Sequence, residues 1–176
     1  MTTGSGGAPT GTDMREADGP NLRDATPDDR PALLDLWVLA WRAAMAGIDF
    51  EARRPWLDAH LDALLASGAR VLVAEAGGAP AGFVSVDPAR RHLDQLAVHP
   101  DHQGSGIADG LMAGAKALSP EGLTLDVNAG NGRARRFYAR HGFAEVGSGT
   151  NPRSGLPTLL LRWGDSRRFT GSSAEI

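Results

Sequence analysis

Apolar residues recur along the chain with two different spacings, and these spacings divide it into strands and helices. Compact apolar runs bounded by turn residues predict strands at residues 22–25, 70–76, 81–86, 93–98, 123–127, 143–146 and 156–163. Apolar residues repeated every three or four positions predict helices from about Asp28 to Gly47 and at residues 51–66, 107–118 and 131–141. The resulting order is β-α-α-β-β-β-α-β-α-β-β.

The two ends of the chain differ in composition from its middle. Residues 1–20 are rich in Gly, Thr and Ser and contain almost no large apolar residue, so we expect a disordered N-terminal tail. Residues 164–176 have a similar composition and are expected to form a flexible C-terminal tail. We therefore expect one folded domain over residues 21–163, a common domain length.

The stretch from Leu93 to Leu118 has the pattern of a buried strand, a glycine-bearing loop and a helix. Glycines at positions 104 and 106 allow the backbone to approach a ligand closely. The helix that begins at Ile107 presents unpaired N–H groups and the positive end of its dipole at that loop. The combination predicts an anion-binding site, suited above all to a phosphate or pyrophosphate group.

Two common phosphate-binding loops do not fit this stretch. A dinucleotide-binding fingerprint needs a third glycine, and Asp109 stands in its place. A Walker loop needs Lys followed by Ser or Thr after its last glycine, and residues 109–111 offer neither. What remains is the pattern Gln103-x-x-Gly106-x-Ala108, five residues after a strand that ends at Val98.

A second motif lies near the C-terminal end of the expected domain. It reads Asn131-x-x-Ala134-x-x-Phe137-Tyr138-x-x-x-Gly142-Phe143. Seven residues are nearly two helical turns, so Asn131 and Tyr138, the one tyrosine of the chain, are expected on the same helix face. Phe137 is expected to point toward the core. The opposite face carries arginines that we expect in solvent: Arg133, Arg136 and Arg140.

Both motifs resemble those of the GCN5-related N-acetyltransferase (GNAT) superfamily, whose acetyl-CoA signature is Arg/Gln-x-x-Gly-x-Gly/Ala. The resemblance covers nearly the whole domain, about residues 22–163. It implies a three-layer α+β (α/β) fold, with a mixed, mostly antiparallel sheet that is splayed between strands 4 and 5 and flanked by helices. It also implies that acetyl-CoA, the cosubstrate, enters the gap between these strands, here residues 93–98 and 123–127.

The resemblance assigns the cosubstrate contacts to the central strand, the glycine loop and the second motif. The implied contact residues are Leu96, Ala97, Val98, Gln103, Gly104, Ser105, Gly106, Ile107, Ala108, Asn131 and Tyr138. The implied role of Tyr138 is to donate a hydrogen bond to the CoA sulfur and to protonate the departing thiolate, which a neutral phenol can do. A buried tyrosine with a satisfied hydroxyl is the alternative.

The acceptor amine arrives protonated, so the reaction needs a general base or a chain of water molecules. Strand alternation predicts that His92, Asp94, Leu96 and Val98 share one face of the central strand. His92 and Asp94 are therefore the two candidates for the base. Arylalkylamine N-acetyltransferases carry histidines at two apparently equivalent positions, a pattern that His92 matches and Asp94 does not. The alternative for both residues is a solvent-exposed strand start.

The resemblance also implies that acceptor contacts come from the first helix pair and from the loop between the last two strands. Trp41, Phe50 and Arg153 fall in these segments. Trp41 and Phe50 are candidates for the lining of an apolar acceptor pocket, with core packing as the alternative.

Composition narrows the choice of function further. The net charge of −3 gives no basic field, which disfavours general nucleic-acid binding. Cysteine is absent, so no enzyme thiol can carry the acyl group, and no spacing of His, Asp and Glu suggests a metal site. Because no apolar run is long enough to span a membrane and the N-terminus lacks a hydrophobic signal core, we expect a cytoplasmic protein that binds no membrane.

These observations favour an N-acetyltransferase that moves an acetyl group from acetyl-CoA to a primary amine of a small molecule, by direct attack in a ternary complex. Acetylation of a peptide or protein N-terminus is a second hypothesis, and a non-catalytic acyl-CoA-binding sensor on the same fold is a third. The expected partners are the CoA thioester and a small amine, and a homodimer stays open as the assembly state.

Overall fold

A computed structural model of the protein describes residues 20–164. The strands are β1 (Asn21–Asp24), β2 (Arg70–Ala76), β3 (Ala79–Asp87), β4 (His92–Val98), β5 (Gly122–Asn128), β6 (Ala144–Thr150) and β7 (Pro157–Gly164). The helices are α1 (Arg30–Ala44), α2 (Arg54–Ala66), α3 (Ile107–Leu118) and α4 (Gly132–Arg140). The two expected tails lie outside the described residues, apart from Pro20 and from Gly164, which is the last residue of β7.

The described strands form one mixed sheet in the order β1-β2-β3-β4-β5-β7-β6. Neighbouring strands are antiparallel except β4 and β5, which are parallel. These two strands have one residue pair in register, His92 with Thr124, and no further pair follows it. The sheet is therefore open between β4 and β5 beyond that pair, which confirms the splay that the sequence resemblance implies.

Helices cover both faces of the sheet, so the expected three-layer α+β fold is confirmed. On one face, α3 and α4 bury Leu111, Met112 and Tyr138 against β4 and β5. On the other face, α1 and α2 bury Trp37 and Leu57 against β2 and β3. The periodic apolar stripes of the helices explain this arrangement, because each stripe has one sheet face to cover.

The last hairpin differs from the sequence-based expectation. β6 continues to Thr150, so the loop before β7 is shorter than the predicted 147–155 segment. After a bulge between Glu145 and Gly147, Gly149 still pairs with Thr158 of β7. Two glycines in this strand mask its apolar pattern, because glycine is depleted in strands and has no side chain to bury. The remaining loop brings Arg153 close to the N-terminal part of α2.

Candidate active site

The glycine loop after β4 has the backbone geometry of an anion site. Gly104 and Gly106 have φ values of 84° and 87°, in the left-handed region that side-chain-bearing residues rarely adopt. Gly106 also lies directly before α3 as its N-cap residue. A Cβ atom at either glycine would meet nothing within 4 Å, so the backbone conformation, and not a lack of space, requires glycine here.

The first turn of α3 leaves its N–H groups available. The first helical bond runs from the Gly110 N–H to the Gly106 carbonyl (3.0 Å), so the N–H groups of Ile107, Ala108 and Asp109 have no partner within the helix. The Ile107 side chain is buried in the core, and the Ser105 hydroxyl donates to the His102 carbonyl (2.6 Å). Ile107 therefore offers a ligand only its backbone N–H, whereas the Ser105 N–H also bonds to the His102 carbonyl (3.3 Å).

A cavity of about 530 Å³ connects this loop with the gap between β4 and β5. Most residues that the sequence resemblance implies for acetyl-CoA line it: Leu96, Ala97, Val98, Gln103, Gly104, Gly106, Ala108, Asn131 and Tyr138. Asp94 and Trp41 also line this cavity. The cavity therefore joins a phosphate-type loop to the residues that are candidates for the chemistry.

Two arginines of α4, both exposed as the helix pattern predicted, also line this cavity. Arg133 donates a hydrogen bond to the Gln103 side chain, which ties α4 to the glycine loop. Arg140 lies 3.9 Å from Asp109, whose carboxylate also accepts a hydrogen bond from His141 (2.8 Å). The expectation of exposure is confirmed, and the helix pattern alone could not show that this exposed face of α4 also borders a cavity.

Tyr138 and Phe137 both line the cavity and both pack against the core, so each keeps the contact that the helix pattern predicted. Tyr138 is the more buried ring, 8% exposed, and packs edge-on against Phe143 at 5.6 Å. Phe137 is half-buried, lines the cavity and contacts the His141 ring at 4.6 Å. Burial raises the pKa of Tyr138 above its ordinary value, because the low-polarity surroundings disfavour the charged phenolate. The hydroxyl therefore keeps its proton well into alkaline pH and stays able to donate it.

Asn131 has a structural task that the sequence motif did not reveal. Its Oδ1 accepts a hydrogen bond from the Ala134 N–H (3.1 Å), so it is the N-cap of α4. It lines the cosubstrate cavity from this position. The spacing Asn131-x-x-Ala134 thus corresponds to the start of a helix, and the cap fixes how α4 lies beside the gap.

A β-bulge determines where the central strand points its side chains. Ser85 pairs with Gln95 and Val86 with Leu93, which leaves Asp94 as an extra residue in β4. The Ser85 hydroxyl accepts a hydrogen bond from the Gln95 N–H at this point (3.0 Å). Asp94 and Gln95 consequently both point toward α1 and α2, where their side chains bond to His60 and Trp37.

The predicted alternation along β4 is wrong after the bulge. Leu96 and Val98 pack on the α3 side of the sheet and Ala97 on the opposite side, so Leu96 and Val98 do not share the face of Asp94. An extra residue in a strand shifts every following side chain to the other face. His92 precedes the bulge and keeps the parity of Asp94.

The two base candidates have different positions. His92 is paired in register with Thr124, and its Nδ1 lies 3.1 Å from the Thr124 hydroxyl, at the closed end of the gap. It does not line the cavity, whereas Asp94 does. The Asp94 Oδ1 accepts hydrogen bonds from His60 Nε2 (2.8 Å) and Gln95 Nε2 (2.9 Å). No sequence pattern singles out His60, which lies 34 residues from its partner.

The three predicted acceptor contacts do not come together in one pocket. Trp41 lines the cosubstrate cavity, but Phe50 is 3% exposed and forms an edge-on contact with Trp37 at 5.4 Å. Phe50 is therefore a core residue. The Arg153 guanidinium lies 4.0 Å from the centre of the Trp56 ring, a cation–π contact outside the cosubstrate cavity.

A second cavity, of about 690 Å³, adjoins the first between the α1–α2 connection and the β6–β7 loop. The two cavities share Ala44 and Asn131. Apolar side chains of Met45, Ile48 and Leu156 line it. Among the described lining residues its one charged side chain is Arg53.

A splayed sheet whose gap leads to a phosphate-type loop is the architecture of a protein that holds a CoA thioester between two strands. Residues 56–159 match the family described as "Acetyltransferase (GNAT) domain". Within residues 20–164, no helix has the length and apolar character needed to cross a membrane.

Similar proteins agree with that match. The chain is 32% identical over 145 residues to the peptidyl-lysine N-acetyltransferase YiaC of Escherichia coli (strain K12), covering 81% of this chain and 95% of YiaC. It is 38% identical over 82 residues to the peptidyl-lysine N-acetyltransferase YjaB of Salmonella typhimurium, covering 47% of this chain and 54% of YjaB, about half of that relative. The solution structure of apo-form YjaB from Escherichia coli is similar with a TM-score of 0.66 and 27% identity, over 82% of this chain and 98% of that one.

The chain therefore belongs to the GNAT acetyltransferase family, which makes it an acyltransferase with acetyl-CoA as the cosubstrate.

Proposed function

We propose that the protein transfers the acetyl group of acetyl-CoA directly to a primary amine in a ternary complex. The observation that carries this proposal is the continuous cavity, which has the glycine loop at one end and Asp94 and Tyr138 along its walls. The loop N–H groups would bind the pyrophosphate, and the thioester would lie between β4 and β5. Because the chain has no cysteine, an acyl-enzyme thioester is excluded.

Tyr138 and Asp94 take opposite roles in this mechanism. Asp94 accepts a proton from the acceptor ammonium, and the freed nitrogen attacks the thioester carbonyl. The oxyanion that forms is met by backbone N–H groups of β4 near Leu96 and Val98, since beyond His92 this strand has no pairing with β5. When the carbon–sulfur bond breaks, Tyr138 protonates the thiolate, and the second proton that leaves the nitrogen restores the Tyr138 phenol. Its burial raises the pKa and keeps the phenol neutral, so the hydroxyl can donate a hydrogen bond to the sulfur.

A small-molecule amine is the first candidate acceptor. The second cavity adjoins the cosubstrate cavity, and its volume lies in the range of roughly 300–1,000 Å³ that small-ligand sites occupy. A lysine side chain of a peptide is the second candidate, because the relatives YiaC and YjaB are named peptidyl-lysine N-acetyltransferases. A peptide N-terminus and a non-catalytic sensor role remain as outcomes of the test.

The test is thiol release from acetyl-CoA with a panel of acceptors. The panel contains small primary amines, peptides with an internal lysine and a blocked N-terminus, and peptides with a free N-terminus and no lysine. The proposal expects saturable thiol release and an acetylated product with at least one primary amine. Tight acetyl-CoA binding without release for any member of the panel would support the sensor and contradict the proposal.

A further inference from the structure

His60 is a half-buried histidine beside the reacting centre that neither sequence motif includes. It lies on α2, and its ring is stacked on Trp56 with centroids 4.7 Å apart and an interplanar angle of 18°. Its Nε2 lies 2.8 Å from Oδ1 of Asp94, and since an ionised carboxylate only accepts, the histidine donates this hydrogen bond. The stacked ring therefore points a donor at the carboxylate that lines the cosubstrate cavity.

The same oxygen of Asp94 has a second fixed donor. Gln95 Nε2 donates to Oδ1 at 2.9 Å, and the Gln95 amide is itself oriented because its Oε1 accepts from the Trp37 indole N–H at 2.9 Å. Oδ2 of Asp94 has no hydrogen-bond partner within residues 20–164. One carboxylate oxygen is thus anchored by donors from two residues, and the other stays free for a ligand in the cavity.

We propose that His60 is the positioning residue of the general base and that its charge makes the base sensitive to pH. This inference rests on the proposed acetyl transfer with Asp94 as the base. Neutral His60 holds Oδ1, so Oδ2 receives a proton from the acceptor ammonium while the nitrogen lone pair attacks the thioester carbonyl. Protonated His60 forms an ion pair with Asp94 and weakens the carboxylate as a proton acceptor, because the positive charge favours the ionised form.

The other charged groups around the pair come from three elements. Arg153, of the β6–β7 loop, lies over the Trp56 ring on which His60 is stacked. Asp58 and Asp62 of α2 are held by Arg30 of α1 at 3.1 Å and 2.6 Å. Asp94 is the carboxylate with which His60 itself forms a hydrogen bond. Of these charged groups, the Asp94 carboxylate is therefore the one that a positive charge on His60 affects most strongly.

Two substitutions separate positioning from charge. His60→Gln keeps an N–H donor on a side chain of similar reach but cannot be protonated, whereas His60→Phe keeps a flat ring and removes the donor. Each variant is compared with wild type for kcat between pH 5.5 and 8.5, at saturating acetyl-CoA and with an amine that wild type acetylates. The double variant His60→Gln with Asp94→Asn is the control, since coupling between the two residues must vanish when the carboxylate is gone.

We expect His60→Phe to lose about tenfold in kcat toward pH 5.5 and less as pH rises, because the base matters less once the amine loses its proton without help. We expect His60→Gln to stay within about threefold of wild type at pH 8.5 and to lose less activity than wild type toward pH 5.5. When Asp94→Asn is already present, adding His60→Gln should leave kcat unchanged at every pH.

A His60→Gln profile parallel to that of wild type, or an unchanged kcat in folded His60→Phe, would overturn the inference. Failure of wild type to acetylate any amine would overturn the proposed function instead, so the two failures are distinguishable.

Discussion

The two sides of the β4–β5 gap are built in different ways. The cosubstrate side is made of backbone, with two left-handed glycines and the unpaired N–H groups of α3 within a short stretch of chain. The acceptor side is made of side chains, because Trp37, Trp56, His60 and Asp94 come from three elements that are far apart in sequence. A site built from backbone is visible in the sequence as a short local motif. A cluster of side chains from distant elements has no such motif.

The charges of the two sides also differ. Arg133 and Arg140 border the cosubstrate cavity near the glycine loop, and Asp94 lines its wall near α1 and α2. A CoA thioester brings phosphates to the first side, and an amine brings a positive charge to the second. The following changes test whether the two sides can be disturbed separately, beginning with the largest expected effect.

Gly106→Asp should nearly abolish CoA binding. The residue has a φ of 87°, which a side chain strains by about 1–2 kcal/mol, and its carboxylate would lie where the phosphates are expected. We expect the dissociation constant, measured by calorimetry, to rise by about 100-fold or more. Gly78→Asp is the matched control, because Gly78 has a φ of 79° and open space but lies in the β2–β3 hairpin turn. If a folded Gly106→Asp variant binds CoA as tightly as wild type, the glycine loop does not bind the phosphates of CoA through its backbone.

Tyr138→Phe should lower kcat by roughly ten- to a thousandfold and leave KM for acetyl-CoA nearly unchanged, because it removes the proton donor and keeps the ring. The raised pKa also has a pH consequence. The donor form of Tyr138 persists above the ordinary tyrosine range, so wild type should show no loss of kcat from tyrosine ionisation up to about pH 10. Wild-type turnover by Tyr138→Phe, measured as thiol release, would exclude the acid role.

Asp94→Asn should lower kcat by about ten- to a hundredfold, mainly at low pH, where deprotonated amine is scarce. The rate should recover as pH rises and the amine loses its proton without help. His92→Gln is the control, because His92 lies at the closed end of the gap and does not line the cavity. If His92→Gln changes the acidic limb of the kcat profile and Asp94→Asn does not, the general base is His92 and the assignment of Asp94 is wrong.

Asp29→Asn should affect stability and leave CoA affinity unchanged. The Asp29 carboxylate accepts two 2.7 Å hydrogen bonds from Arg23 and one from the Thr26 N–H, which anchors the start of α1. The Arg23 guanidinium lowers the pKa of Asp29 well below its ordinary range. Its stabilisation is therefore present above the unfolded-state pKa of about 4 and is lost as pH falls through the lower folded value.

At pH 7 we expect Asp29→Asn to lose about 1–3 kcal/mol in urea unfolding, and the difference from wild type should shrink in acid. Asp28→Asn, at the exposed neighbouring position, is the control and should be close to neutral. A loss of CoA affinity in Asp29→Asn would show that the two sides of the gap are not independent.

Local patterns in the sequence were sufficient for most of the fold. β2 covers the predicted residues 70–76, and Gly77 and Gly78 form the hairpin turn that follows it, both with positive φ. The α3 boundaries agree as well, because a glycine before an amphipathic run is a local signal that needs no distant partner. The second motif located α4, whereas the N-cap role of Asn131 became visible only in the structure, where its side chain accepts from the Ala134 N–H.

The sequence by itself thus determined the order of elements, the glycine loop and the two motifs that border the gap. Only the tertiary structure decided which side chains meet across the gap. The bulge at Asp94 depends on pairing with β3, so the single strand gave no sign that Leu96 and Val98 would leave the face of Asp94. The His60–Asp94 contact joins residues 34 positions apart on a helix and a strand. Neither residue type nor periodicity specifies such a contact, because it arises from how α2 packs on the sheet.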